Sequence, residues 1–138
     1  MKLLILNGPN LNLLGTRESD IYGSQKFEDY LHTLQAKYSS IEIEYKQSNS
    51  EGTIIDILQE SENNFDGVIL NAAAYTHTSI AIRDAIAAIS TPVVEVHISN
   101  IHAREDFRKK SIITEKCVGI VSGLGLSGYE AGVIYFVS

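Results

Sequence analysis

The chain has 138 residues and a mass of 15.2 kDa, one domain's worth, with 44% hydrophobic and 20% charged residues; these proportions exclude a disordered or membrane-embedded chain. Seventeen acidic against eleven basic residues give a net charge of −6 and a pI near 5.1, so no bulk field attracts a phosphate backbone and a nucleic-acid partner is not expected. Cys117 stands alone, which excludes a disulfide framework and a cysteine zinc knuckle.

Lys2 to Asn7 is a short apolar run stopped by Gly8-Pro9-Asn10, which predicts a first strand. It is too short for the apolar core of a secretion signal, and no cleavage pattern follows. No run reaches the ~18 apolar residues of a membrane span. Residues 1–138 are therefore expected to form a single cytoplasmic domain without membrane association. Phe27, Tyr30, Leu31, Leu34 and Tyr38 fall on one face of a helix. Ile41, Ile43 and Tyr45 alternate with Glu42, Glu44 and Lys46 as a half-buried edge strand. Ser48 and Glu51 have capping-box spacing ahead of Ile54, Ile55 and Leu58. Val68-Ile69-Leu70 reads as a buried strand, and Ile82, Ala85, Ile86 and Ile89 as a helix closed by Thr91-Pro92. Val93 to Val96 and Val118 to Val121 predict two more strands, with a short helix over Ala103 to Lys109 between them and a last helix from about Gly128 to Val137.

Five strands alternating with five helices predict an α/β fold: a flavodoxin-like three-layer sandwich around a five-stranded parallel sheet of order 2-1-3-4-5. In that order strands 1, 3 and 4 are neighbours, and their carboxyl ends share the switch-point crevice where open α/β sheets bind ligands. Asn7, Asn10 and Asn71 lie at those ends. Glu95 and His97, at i and i+2, point to the same side. The long connection from Gly8 to Ser24 hangs Arg17 and Tyr22 over the crevice. Ser99, Asn100, Arg104 and Arg108 follow strand 4, the two arginines one helical turn apart.

Each of these residues has a plainer reading. His97 could be a satisfied structural histidine, although a carboxylate at i−2 can orient an imidazole or raise its pKa. The same pair could ligate a metal only if His77 folded in as a third ligand. Asn10 and Asn12 could be turn residues alone, Tyr22 a loop anchor, and Lys109 and Lys110 a solvated face. Gly123-Leu124-Gly125-Leu126-Ser127-Gly128 matches a dinucleotide fingerprint. With no strand or ribose-binding acid following it, it reads better as a tight turn beside the crevice. A flavin or nucleotide module would need an anion cradle at a helix N-terminus, and a receiver-like domain would need acids where Asn7, Asn10 and Asn71 stand.

Asn7-Gly8-Pro9-Asn10-Leu11-Asn12-Leu13-Leu14-Gly15-Thr16-Arg17-Glu18 with Ile21-Tyr22-Gly23 closely resembles the opening of the type II 3-dehydroquinate dehydratases. The resemblance runs on through Ser48-Asn49-Ser50-Glu51-Gly52, Asn71 to Ser79, Arg83-Asp84, Glu95 to Asn100, Arg104 to Arg108 and Gly123-Leu124-Gly125. Ser19, where many members have Pro, and the segment Gly132 to Phe136 depart from the pattern at positions of packing or assembly. The resemblance implies a hydro-lyase that converts 3-dehydroquinate to 3-dehydroshikimate by anti elimination through an enolate, in aromatic amino-acid biosynthesis or quinate breakdown. It implies Tyr22 as base and His97 as acid. A free tyrosine ionises near pH ~10, so a phenolate base at neutrality needs a cation beside it; Arg17 is the first candidate and Arg108 the second. Asn10 would hold a water against the enolate oxygen, and Glu95 would brace His97. Asn71, His77, Ile98, Ser99 and Arg108 would bind the small anionic substrate, with Asp84 contributed by a neighbouring subunit of a homododecamer built from trimers. No cofactor and no metal are implied, and no lysine in the matched motifs offers imine chemistry.

Overall fold

The structure, a computed structural model, describes residues 1–15 and 26–138. Arg17 and Tyr22 lie outside the described residues. Strands β1 (Lys2–Asn7), β2 (Glu42–Gln47), β3 (Gly67–Asn71), β4 (Val93–His97) and β5 (Gly119–Ser122) form one sheet in the order β2-β1-β3-β4-β5. Every pairing is parallel, as the alternation of elements predicts. Side chains alternate between the faces of a strand, so β1 divides its residues between two cores. Leu3 and Ile5 join Ile69, Val94 and Val96 under helices α1 (Phe27–Lys37) and α4 (Ser127–Val137). Leu4 and Leu6 join Val68, Leu70 and Val93 under α2 (Glu51–Ser61) and α3 (Ile80–Ala88). Among the described residues no helix is long and apolar enough to cross a membrane.

The helices begin where capping chemistry and chain geometry agree. Ser50 Oγ accepts from Thr53 N at 3.3 Å and starts α2; Ser79 Oγ accepts from Ile82 N at 2.9 Å and starts α3. The expected cap at Ser48 falls two residues too early. Ser48 N still donates to Asn7 O at 3.0 Å, so that residue belongs to the sheet ladder, and its hydroxyl instead accepts from Ser50 N at 3.0 Å. The expected helix over Ala103 to Lys109 is two short 3₁₀ turns, Ile101–Ala103 and Asp106–Arg108, with Arg104 extended between them. A helix this short depends on burying an apolar face. Phe107 is 68% exposed, so this segment has no such face to bury.

Registers bring the carboxyl ends level. Asn7 stands opposite Asn71 on one side and Gln47 on the other, and His97 stands opposite Ser122. The crossover from β4 to β5 is built of 3₁₀ turns rather than a fifth α-helix.

Candidate active site

A cavity of about 370 Å³ opens at the carboxyl ends of β1, β3 and β4. Pro9, Asn10, Leu11 and Leu14 line it after β1, Asn71, Ala73, Ala74 and His77 after β3, and His97, Ile98, Ser99, Ile101, Arg104 and Arg108 after β4. Of the residues expected at the site from the sequence, Asn10, Asn71, His77, His97, Ile98, Ser99 and Arg108 are brought together in this wall. Glu95 lies fully buried beneath it, and Asp84, on α3, is not part of the lining.

Asn10 is both a turn residue and a wall residue. Its φ of +69° is in the left-handed region, which asparagine tolerates better than most side chains. Its N–H donates to Asn49 Oδ1 at 3.0 Å. Gln47 Nε2 secures the same turn by donating to Gly8 O and to Asn49 Oδ1, each at 3.1 Å. Gly8 is tight against β3: its N–H donates to Asn71 O at 2.7 Å, and a Cβ there would meet Ala72 O at 2.7 Å.

Glu95 and His97 share one face of β4, and the His97 ring hydrogen-bonds through Nε2 to the Glu95 carboxylate. The carboxylate accepts two further bonds, from Ser111 Oγ at 2.8 Å and Thr114 Oγ1 at 2.5 Å. Burial pushes the Glu95 carboxyl up, but the bonds from His97, Thr114 and Ser111 outweigh it, so the group ionises below its ordinary value. An anionic acceptor fixes the proton on His97 Nε2 and leaves Nδ1 to meet a ligand. His77 stacks 6.4 Å from His97, and its Nδ1–H donates to Lys110 O at 2.8 Å. A carbonyl can only accept, so His77 presents Nε2 as an acceptor when neutral.

The two arginines share one carboxylate across the 3₁₀ turns. Glu105 Oε1 lies 3.1 Å from Arg108 Nε and 3.6 Å from Arg104 Nε, and Arg104 Nη1 reaches Ser99 Oγ at 3.4 Å. The glycine-rich segment is a tight turn, with φ of +90° at Gly123 and +61° at Gly125. Gly123 N donates to His97 O at 3.2 Å, Gly125 N to Ile98 O at 3.0 Å, and Ser122 Oγ to Ser99 O at 3.2 Å. In a trans peptide the N–H points opposite its carbonyl, so the Ile98 and Ser99 N–H groups face away from the turn. The motif serves the site from behind rather than holding a dinucleotide.

Sequence reasoning missed Gln47, Asn49, Ser111 and Thr114, which act through other residues. Only Asn49, inside a matched motif, carried a signal that could have found it. Among the described residues no group of three or more His, Cys, Asp and Glu is placed to hold a metal.

A cavity of this size takes a small molecule, and the fold and the cavity's position place the chain among the open α/β proteins with a ligand site at the switch point. The family model described as dehydroquinase class II matches residues 1–137. The 3-dehydroquinate dehydratase of Fusobacterium nucleatum is 51% identical over 142 residues, covering 99% of this chain and 97% of that protein. The 3-dehydroquinate dehydratase of Prochlorococcus marinus strain MIT 9301 is 52% identical over 143 residues, covering 100% and 97%. The crystal structure of the type II dehydroquinase from Butyrivibrio crossotus superposes with a TM-score of 0.96 at 46% identity, covering 100% of this chain and 98% of that one. That of Propionibacterium acnes gives 0.93 at 38% identity, covering 98% and 94%. The chain belongs to the class II dehydroquinase family.

Proposed function

We propose that the chain is a 3-dehydroquinate dehydratase that forms 3-dehydroshikimate and water by anti elimination through an enolate. The observation that carries the reading is the Glu95–His97 pair: an imidazole in the cavity wall, braced by a buried carboxylate. Elimination next to a ketone needs a base at the α-carbon, a stabiliser for the enolate and an acid for the departing hydroxyl. Tyr22, as phenolate, takes the α-proton, and the positive charge of Arg17, five residues earlier in the sequence, is the first candidate to favour the ionised form. Asn10 holds a water against the enolate oxygen. The enolate then collapses, the C–O bond breaks, and the His97 imidazolium gives its proton to the hydroxyl, which leaves as water.

Asn71, His77, Arg108 and the Ile98–Ser99 backbone bind the substrate's carboxylate and hydroxyls; their place in the cavity wall supports this role. Asp84 sits outside the wall, consistent with service to the site of a neighbouring subunit in a trimer-based homododecamer. The test mixes purified protein, without added cofactor, with 3-dehydroquinate and follows the conjugated enone by absorbance. Steady appearance of the enone, abolished by Tyr22→Phe, is expected. No enone at micromolar protein overturns the reading, and full activity in Tyr22→Phe overturns the base assignment.

A further inference from the structure

Tyr129, on α4, is fully buried and plays no part in the steps above. We propose that Tyr129 is a positioning residue for substrate binding: its hydroxyl sets the orientation of the Asn71 amide in the cavity wall. The inference rests on the dehydratase reading and on the directions of a chain of buried hydrogen bonds. Ala73 N–H can only donate, so the Asn71 atom it meets at 3.1 Å is Oδ1. That turns Asn71 Nδ2 onto the Tyr129 hydroxyl at 2.9 Å, and the hydroxyl spends its own hydrogen on Asn7 Oδ1 at 2.7 Å. Asn7 Nδ2 is left facing the Tyr45 hydroxyl at 3.4 Å.

Tyr129 and Ala73 thus use one N–H and one lone pair of the Asn71 amide, which keeps one of each for a ligand. The same amide holds Ala73, a wall residue whose φ of +52° is in the left-handed region that alanine rarely adopts. Burial pushes the Tyr129 phenol far above the usual tyrosine range, so it stays a hydroxyl and is not a second base. Gly128 and Gly132 let α4 lie close enough to deliver it: a Cβ at either would come within 3.1 Å of Val96 or Ile69. The ring itself is fixed edge-on to Phe27, centroids 4.9 Å apart.

The test is Tyr129→Phe, which keeps the ring and removes only the hydroxyl. With the hydroxyl gone as intermediary, the two amides can rotate toward each other and Asn71 leaves its place in the wall. The expected result is a ~5–20-fold rise in KM for 3-dehydroquinate, with kcat within ~3-fold of wild type and an unmoved pH profile. Val133→Ala, buried on the same helix with no polar role, controls for lost stability and is expected to lower Tm without moving KM. A Tyr129→Phe KM within ~2-fold of wild type, or an equal rise in Val133→Ala, overturns the positioning role. A wild-type protein that makes no enone overturns the dehydratase reading and this inference with it. Turnover by wild type with an unchanged variant KM removes this inference alone.

Discussion

Glu95 is a fully buried carboxylate held by three donors, from His97, Thr114 and Ser111. Because its folded value is below the ordinary 4.5, the native state binds fewer protons there than the unfolded chain does. Its stabilisation is complete above that ordinary value and is lost as pH falls through the lower folded one. Glu95→Gln is therefore expected to flatten the acid limb of stability against pH, measured by denaturant titration. A kcat loss of at least ~10-fold should accompany it, since the imidazole loses its anionic brace. An unchanged acid limb would contradict the assignment. At Cys117, burial first and the Glu95 charge second push the thiol up to about 12. It should resist a disulfide reagent at pH 8 in the native protein and react fully once unfolded; rapid native labelling would count against this environment. The Glu95–His97 pairing was legible in the sequence because i and i+2 on a strand share a face. The donors Ser111 and Thr114 were not, since nothing in a serine or threonine 16 or 19 residues away announces what it will meet.

Elements were legible where apolar periodicity was strong and where a stop signal followed it. β1 runs over the residues its pattern predicts, and the face Phe27, Leu31 and Leu34 is the buried face of α1. The errors fall where tertiary contacts override local chemistry. Ser48 has the right spacing for a cap, yet the ladder bond to Asn7 delays the helix to Ser50. The segment Ala103 to Lys109 has helix-forming side chains, yet its one large apolar residue, Phe107, is exposed, so no apolar face stabilises a helix there. The junction of β1 and β3 is the element-scale weak point, because the carbonyl of Ala72 leaves no room beside Gly8. Gly8→Ala should cost ~1–3 kcal/mol in denaturant unfolding and depress turnover, since it separates the strand ends that carry Asn10 and Asn71. A variant as stable and active as wild type would show that the junction yields.

At the scale of the molecule, a chain of net charge −6 turns two arginines and two histidines toward one cavity. Among the described residues the lining carries no acidic side chain, which suits a small anion, while the bulk negative charge disfavours a polyanion. The proposed neighbour role of Asp84 gives the assembly a direct test. Tyr22→Phe and Asp84→Ala subunits, each inactive alone, should recover activity when unfolded together and refolded as mixed oligomers. Some sites then pair an intact Tyr22 with an intact neighbouring Asp84. Absence of recovery would mean that both residues serve the same subunit's site.

The sequence by itself determined the sheet order, the two-sided core and, among the described residues, the strand-end positions of Asn7, Asn71 and His97. The order follows from right-handed crossovers, the core from local periodicity, and the strand-end residues from spacing along single strands. The tertiary structure alone decided which partners those residues have: Glu95 with Ser111 and Thr114, Asn10 with Asn49, Asn71 with Tyr129. The physical reason is that such bonds join residues distant along the chain, and only the packed sheet and helices fix their distance and direction.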